Sequence, residues 1–484
     1  MAAYVKNPEW KDGEAGNTPI TADKLNHLEE GVFQVSTLAE SIKTIGNISK
    51  DNTVVASFWG DSRTEQNWSK STTYPAPLAR SWVWWFEALS QRIRMTYDMN
   101  FGKSGDSIDQ LWARIRDDVA NDSGVKPSQV PPGIATLLIG TNSVNAGVPL
   151  ADMLATLNLI LDWFYTRGFK VMIIGEWPRG SDAANSGLLT PDNQKLMYAY
   201  AKAVRHLAGV RKNLWVVDVW PYMADPAKLD ARPLPDFLND DDLHNSTGSG
   251  YTTGRELARV ADQEMSLPRM KKTTSQNGDV WDAVINKTGN LCTNPMFVKG
   301  TGGTLGLGAT GEVPQGWTLA TQSNSLLAVF GEFVTITLPN GTKRQAYRVT
   351  VTATGTGGIN GTAANQYFSL RQSGLISKVS QNDLLEANYE VVVKEGHQNF
   401  AAPALMIDTG VAATRAYGGL SISQDHKMPA SVTDGFYAVP QSTRLPLPAL
   451  PATLSFELRP MFTLGSTVTT LTIDFLSCSF RKIV

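Results

Sequence analysis

The run Val54-Val55-Ala56-Ser57-Phe58-Trp59 stops abruptly at Gly60-Asp61-Ser62, and this stretch constrains the fold more than any other. A short apolar run closed by glycine reads as a buried strand feeding a tight turn, which holds a side chain at the C-terminal edge of an α/β sheet. Ser62 is that side chain. The triplet recurs at Gly105-Asp106-Ser107, so the tripeptide alone does not select a serine. Ser107, however, opens a predicted helix, and its glycine turn offers backbone N–H groups in place of a strand-end nucleophile.

Downstream, apolar runs and amphipathic stretches alternate, the pattern of a parallel sheet with crossover helices. A helix is predicted from Leu78 to Ile93, carrying Trp82, Trp84, Trp85 and Phe86. Such a cluster belongs to a core, with any exposed members free to meet a partner subunit. Strand two covers Met95–Phe101 and leads into a helix with Ile108, Leu111, Ile115 and Val119 on one face. Strand three, Ile134–Ile139, is an apolar run suited to burial on both sheet faces. The helix Leu150–Arg167, strand four Val171–Ile174, the helix Gln194–Val210, strand five Leu214–Val219 and a helix over Thr247–Met265 follow. Five strands with intervening helices predict a flavodoxin-like three-layer α/β/α domain that binds ligands at the strand C-terminal ends.

Three further blocks stand at or beyond predicted strand ends. Asn100-Phe101-Gly102-Lys103-Ser104-Gly105-Asp106-Ser107 follows strand two, Gly140-Thr141-Asn142-Ser143 follows strand three, and Asp241-Asp242-Leu243-His244 lies beyond strand five. With Gly60-Asp61-Ser62, these blocks in this order resemble the SGNH (GDSL-type) family of esterases and lipases. The resemblance implies Ser62 as nucleophile, His244 as base and Asp241 as its aspartate. It also implies an oxyanion site made by Ser62, Gly105 and Asn142. The third block of that family usually runs Gly-x-Asn-Asp, whereas Ser143 stands in the final place here.

The implied reaction is ester hydrolysis by nucleophilic catalysis. A serine hydroxyl is a poor nucleophile at neutral pH, so His244 takes its proton during attack and returns it to the leaving alcohol, while Asp241 fixes the imidazole tautomer. No cofactor is implied, and the run Asp240-Asp241-Asp242 lacks the further ligands that would make it a metal site. Trp59, Trp68, Trp177, Trp220 and Tyr222 fall near predicted strand ends or in the loops that follow, where exposed aromatic faces would stack on sugars. Burial in the core is the competing reading of each tryptophan. His206 falls mid-helix and reads as surface or packing.

Composition narrows the partners. With 43 basic against 45 acidic residues, the chain lacks the basic stripe of a nucleic-acid binder, and no run is long enough for membrane insertion. Two cysteines, Cys292 and Cys478, cannot make a disulfide framework. The start, Met1-Ala2-Ala3-Tyr4-Val5-Lys6, lacks the form of a secretory signal, so synthesis and folding in a cytoplasm are expected. From Leu25 the apolar residues Leu28, Val32, Val35, Ala39 and Ile42 alternate by three and four, an a/d seam. On pattern alone, self-association in a bundle and packing on the neighbouring domain serve it equally. Trp10-Lys11-Asp12-Gly13, followed by Thr18-Pro19-Ile20-Thr21-Ala22-Asp23-Lys24-Leu25, is similar to the N-terminal segment of bacteriophage tail fibre and tailspike proteins. That resemblance implies a homotrimeric virion protein joined to phage tail or baseplate proteins, with His27 structural.

Beyond about residue 290 the period changes to two: Val334, Ile336 and Leu338 alternate with threonines, as do Val349 with Val351 and Leu471 with Ile473. Glycine-rich breaks separate these runs, which predicts a β-sandwich. Its start, Asn290–Trp317, resembles jelly-roll modules of carbohydrate-binding and phage tail proteins. The expected organisation is an attachment segment over 1–46, a hydrolase domain over 47–265, a linker or neck over 266–289 and a carbohydrate-binding or trimerisation domain over 290–484. Two functions fit: a tailspike esterase cleaving ester groups, O-acetyl above all, on bacterial capsule or O-antigen polysaccharide, and a non-catalytic or weakly catalytic fibre that recognises host glycan.

Overall fold

The first apolar run forms β1 (Val54–Gly60), and its last residues are wholly shielded from solvent. The structure, a computed structural model, describes residues 54–484 apart from 91, 181–188, 229–231, 236, 240, 266, 268–278, 324, 339–340, 354–365, 396–399, 421–433, 463–469 and 484. The N-terminal seam and His27 lie outside the described residues.

After β1 come a single helical turn, α1 (Ser62–Glu65), and a small hairpin of β2 (Trp68–Ser69) and β3 (Ala76–Pro77). Then follow α2 (Trp82–Leu89), β4 (Ile93–Arg94), β5 (Asn100–Gly102), α3 (Ile108–Arg116) and β6 (Ile134–Leu138). The domain closes with α4 (Thr141–Asn145), α5 (Leu150–Thr166), β7 (Lys170–Ile174), α6 (Pro191–Arg205), β8 (Leu214–Val217), α7 (Trp220–Met223) and α8 (Thr247–Gln263). β4 and β5 both pair with one edge of β1, β6 pairs with the other, and β7 and β8 follow outward, all in parallel. This is the doubly wound order 2-1-3-4-5, whose crevice opens where the winding reverses, between β1 and β6.

Alternation along β1 divides the core. Ala56 and Phe58 face a layer containing the residues of α2 and α8, while Trp59 joins Phe101 and the apolar faces of α3, α5 and α6. Predicted strand two, Met95–Phe101, is a strand only at β5: β4 lies before it, starting at Ile93 where the helix was expected to end, and a 3-10 turn over Tyr97–Met99 intervenes, where Asn121 Nδ2 donates to Asp98 O at 2.7 Å. α3 ends at Arg116, so Val119 leaves the predicted apolar face and is exposed. The helix expected from Leu78 starts instead at Trp82 because Ser81 caps it, its Oγ accepting from Trp84 N at 2.9 Å.

The second half is a sandwich of β9 (Thr304–Leu305), β10 (Ala309–Gly311), β11 (Thr318–Thr321), β12 (Leu327–Thr337), β13 (Lys343–Ala353), β14 (Gln366–Gln372) and β15 (Leu384–Val393), with β16 (Phe400–Asp408), β17 (Ala416–Gly418), β18 (Phe436–Ala438), β19 (Leu445–Pro446), β20 (Ser455–Phe462) and β21 (Thr470–Ile483). One sheet runs β10-β12-β13-β21-β15-β18, with β19 on β15, and the other β17-β16-β20-β14-β11-β9. Phe368 of one sheet meets Phe475 of the other edge-on at 6.1 Å. Residues 279–289, expected in the neck, are fastened to β21: Arg481 Nη1 donates to Thr288 O at 3.2 Å.

Trp82, Trp84, Trp85 and Phe86 have no exposed face to offer a partner subunit. Trp84 Nε1 donates to Gln441 O at 3.3 Å, Trp85 packs edge-on to Phe436 at 5.6 Å, and Val439 N donates to Ala88 O at 2.7 Å. The aromatic helix therefore joins the α/β layer to the sandwich in one continuous core. Beneath it, α8 approaches α2 across Gly250 and Gly254.

Candidate active site

Ser62 follows β1 at the winding reversal, and glycine is needed to place it. A Cβ on Gly60 would stand 2.1 Å from Leu138 O on the adjoining strand. Asp61 closes the turn: its Oδ1 accepts from Arg63 N at 3.0 Å and from Arg63 Nε at 3.0 Å. The carbonyl of Arg63 accepts from Asn67 Nδ2 at 3.1 Å, Trp82 Nε1 at 3.0 Å and Asn245 Nδ2 at 3.1 Å. One carbonyl so ties the serine turn to the aromatic helix and to the loop before α8.

That loop delivers the histidine. Asn239 N donates to His244 O at 3.0 Å and Asp242 N to Asn239 O at 2.8 Å, with Asp242 at φ 52°, a left-handed conformation aspartate tolerates. The tight turn folds Asp241 back beneath the imidazole. His244 Nε2 lies 2.9 Å from Ser62 Oγ, and His244 Nδ1 lies 2.5 Å from Asp241 Oδ2. Asp241 Oδ1 also accepts from the N–H groups of Leu243 at 3.0 Å and His244 at 2.9 Å. Burial works against the charge on Asp241, but these hydrogen bonds outweigh it and draw the carboxyl down to about 2. A hydroxyl, an imidazole and an ionised carboxylate in line make a proton-transfer path of the kind used to activate serine.

The second and third blocks meet beside this path. Asn142 Nδ2 donates to Asp106 O at 2.9 Å, and Ile108 N donates to Ser143 Oγ at 3.0 Å. The residue that departs from the family pattern thus supplies the acceptor for an otherwise open helix-start amide. Gly140 before them leaves room for Tyr200, whose Cε1 would lie 2.3 Å from an added Cβ. Among the described residues, neither the Ser62 nor the Gly105 N–H donates to another protein group.

Residues 58–248 match the GDSL-like Lipase/Acylhydrolase family. The α/β part of this chain is a GDSL-type hydrolase domain. Solved structures similar to it include a GDSL-like lipase from Bacteroides thetaiotaomicron, at 16% identity over 47% of this chain and 95% of the other, with a TM-score of 0.33. A member of the lipolytic G-D-S-L family from Veillonella parvula is 18% identical over 44% of this chain and 99% of its own, with a TM-score of 0.31. A catalytic mutant of an acetylxylan esterase from Geobacillus stearothermophilus is 19% identical over 45% of this chain and 96% of its own, with a TM-score of 0.31. No curated protein matches the chain.

The GDSL-type domain does not use its aromatics as the sequence suggested. Trp59, Trp68 and Trp177 are buried and offer no face to a sugar. Trp59 stacks on Phe101 at 4.0 Å within the sheet's far core, Trp68 tilts against Phe58 at 6.0 Å, and Trp177 lies under the Arg63 guanidinium at 5.5 Å. Alternation along β1 turns Trp59 into one layer, while Trp68 on the hairpin and Trp177 beyond β7 are covered in the core on the sheet's other face. Trp220 is half-buried between Arg205 and Tyr198, and Tyr222 is exposed with Arg255 over its ring at 5.0 Å. His206 is an exposed helix end.

Sequence reading missed a layer of buried charge in the GDSL-type domain. Arg63 is ion-paired with Asp61 at 2.8 Å and with Glu176, all three side chains fully buried. Arg179 Nη1 donates to Thr141 Oγ1 at 2.7 Å and Asn145 Oδ1 at 2.9 Å, and burial lowers its guanidinium to about 10. The signal was available: charged Glu176 and Arg179 directly follow an apolar strand, at the edge where the site forms.

Proposed function

We propose that the chain is a bacteriophage tailspike esterase that removes ester groups, O-acetyl groups in particular, from a bacterial capsule or O-antigen polysaccharide. The observation that carries the esterase part is the hydrogen-bonded path from Ser62 Oγ through His244 to Asp241. Ser62 Oγ attacks the ester carbonyl as its proton passes to His244 Nε2. The oxyanion is met by the N–H groups of Ser62 and Gly105 and by the Asn142 amide. Collapse expels the sugar oxygen, which takes the proton from His244. Water, deprotonated by His244, then attacks the acyl-serine and releases the carboxylate, restoring Ser62. Asp241 holds the imidazole with its proton on Nδ1 and stabilises the imidazolium.

The polysaccharide, virion and trimer parts, and with them a site on the phage tail, are supported by the N-terminal segment's likeness to tail fibres and tailspikes. Tyr222 and Trp220 are the aromatics left in a position to meet sugar. Ser143, where the third block departs from the family pattern, fastens that block to the second through its hydroxyl, which favours turnover over the non-catalytic fibre.

The test is acetate release from purified capsule or O-antigen, wild type beside Ser62→Ala. Release by wild type alone is expected. Equal release by both proteins, or none from any O-acetylated polysaccharide, overturns the reading.

A further inference from the structure

Glu65 ends the helical turn that Ser62 begins, and its carboxylate reaches across to the second block. Oε2 accepts from Ser104 N–H at 2.7 Å and from Ser104 Oγ at 2.5 Å. Ser104 immediately precedes Gly105. The backbone of Glu65 is itself wedged against β5: Asn100 Nδ2 donates to its carbonyl at 3.3 Å, and a Cβ on Gly102 would stand 2.2 Å from its nitrogen. Lys70 Nζ lies 3.4 Å from the other carboxylate oxygen. Burial opposes the charge, yet the two Ser104 hydrogen bonds and Lys70 hold the carboxyl below its usual range.

On the other side of Gly105, Asp106 is held by Asn142 Nδ2 at 2.9 Å and by Arg114 Nε at 2.7 Å. Gly105 itself is exposed, at φ 85°, with no heavy atom within 4 Å of where a Cβ would be. Two backbone hydrogen bonds flank it, from Lys103 N to Gly60 O at 3.0 Å and from Asp106 N to Lys103 O at 3.2 Å. The second closes a turn around the Ser104–Gly105 peptide, but neither is made by that peptide's own N–H or C=O.

Resting on the esterase reading above, we propose that Glu65 is a positioning residue that sets the Gly105 N–H, an oxyanion donor, relative to Ser62. One rigid turn carries the nucleophile at its start and the clamp at its end, so the two halves of the site move together. A misplacement of about 1 Å costs on the order of 10²-fold in rate, comparable to losing a donor outright. Glu65 touches no reacting atom.

The test uses the full chain with p-nitrophenyl acetate, phenylboronic acid as a tetrahedral analogue, and a fluorophosphonate label to count competent Ser62. Glu65→Ala is expected to lower kcat per labelled site about 10- to 100-fold with KM within about 2-fold, and to weaken boronate inhibition by the same factor. Glu65→Gln keeps one acceptor oxygen and recovers most of that loss. A merely structural role would reduce the labelled fraction and leave kcat per site unchanged, which overturns the proposal. Should Glu65→Ala fail to fold, Ser104→Ala decides: it removes one of the two bonds, and kcat per site lowered about 3- to 10-fold is expected, while an unchanged value overturns. If wild type is no faster than Ser62→Ala, the esterase reading itself has failed and this proposal falls with it.

Discussion

Arg63 and Glu176 are joined by an ion pair wholly buried beneath the turn that carries Ser62, with Arg63 Nη2 also 3.3 Å from Glu176 Oε2. The pair links the end of β1 to the end of β7 across the intervening β6. Burial disfavours the Arg63 charge, and the Asp61 and Glu176 carboxylates more than offset it, so the guanidinium is raised above its ordinary value. Glu176→Ala leaves a buried cation with Asp61 alone. Breaking such a pair typically costs about 3–5 kcal/mol. Urea unfolding of the full chain should show a loss of that order, with Glu176→Gln losing less. A loss below about 1 kcal/mol would mean that the pair does not secure the turn.

Asn142 has two tasks in this geometry, and they separate in magnitude. Its Nδ2 donates to Asp106 O, a bond worth about 1 kcal/mol to stability. Its proposed role at the oxyanion is worth about 10²- to 10³-fold in rate. Asn142→Ala is therefore expected to stay folded, unfold slightly sooner, and lose at least 10²-fold in kcat. Ester turnover at the wild-type rate would remove Asn142 from the oxyanion site.

The sheet was legible mainly at β1, β6 and β7, apolar runs with glycine at or just beyond their ends. Ser62 and Asn142 were legible because they stand at such ends, and His244 because its block follows theirs in a recognisable order. Less was visible where a residue's role depends on distant chain. Trp82 reads as a core residue in a helix, and nothing local indicates that its Nε1 supports the carbonyl of Arg63. Trp59 reads as a strand-end aromatic, and only the hand of the alternation sends it to the far layer. The 3-10 turn inside predicted strand two is bound by Asn121, which lies 23 residues from Asp98 and donates to its carbonyl. Periodicity describes faces well, but it carries no information on which polar atoms those faces bring together.

Asp241 makes a pH prediction with a definite sign. Its carboxyl is depressed to about 2, below the roughly 3.9 of an unfolded chain. Its contribution to stability is present above about pH 4 and is lost as pH falls through about 2. The side chain is 31% exposed, so after allowance for solvent screening the contribution is on the order of 1 kcal/mol. Unfolding curves of wild type and Asp241→Asn should differ by a constant amount above about pH 4 and converge towards pH 2. At neutral pH the same variant should lose on the order of 10²- to 10⁴-fold in kcat, since an amide cannot hold the imidazole's tautomer. Curves that stay parallel down to pH 2 would show that Asp241 is not ionised by these contacts.

Gly254 tests whether the histidine depends on how closely two helices pack. A methyl group there would stand 2.5 Å from Trp85 Cβ and 2.7 Å from Phe86 N, and one at Gly250 would stand 2.4 Å from Arg80 O. The obstacles at both positions include backbone, so no side-chain rotation relieves them. Two effects compete in Gly254→Ala. Alanine favours a helix over glycine by about 1 kcal/mol, while overpacking costs about 1–3 kcal/mol, more when backbone must retreat. The clash should win, lowering the melting temperature. α8 begins three residues after His244, and Asn245 between them donates to Arg63 O. A retreat of α8 therefore moves the imidazole off Ser62, and kcat should fall along with stability. A variant that melts at or above the wild-type temperature with full turnover would show that α8 can withdraw from α2 without disturbing the site.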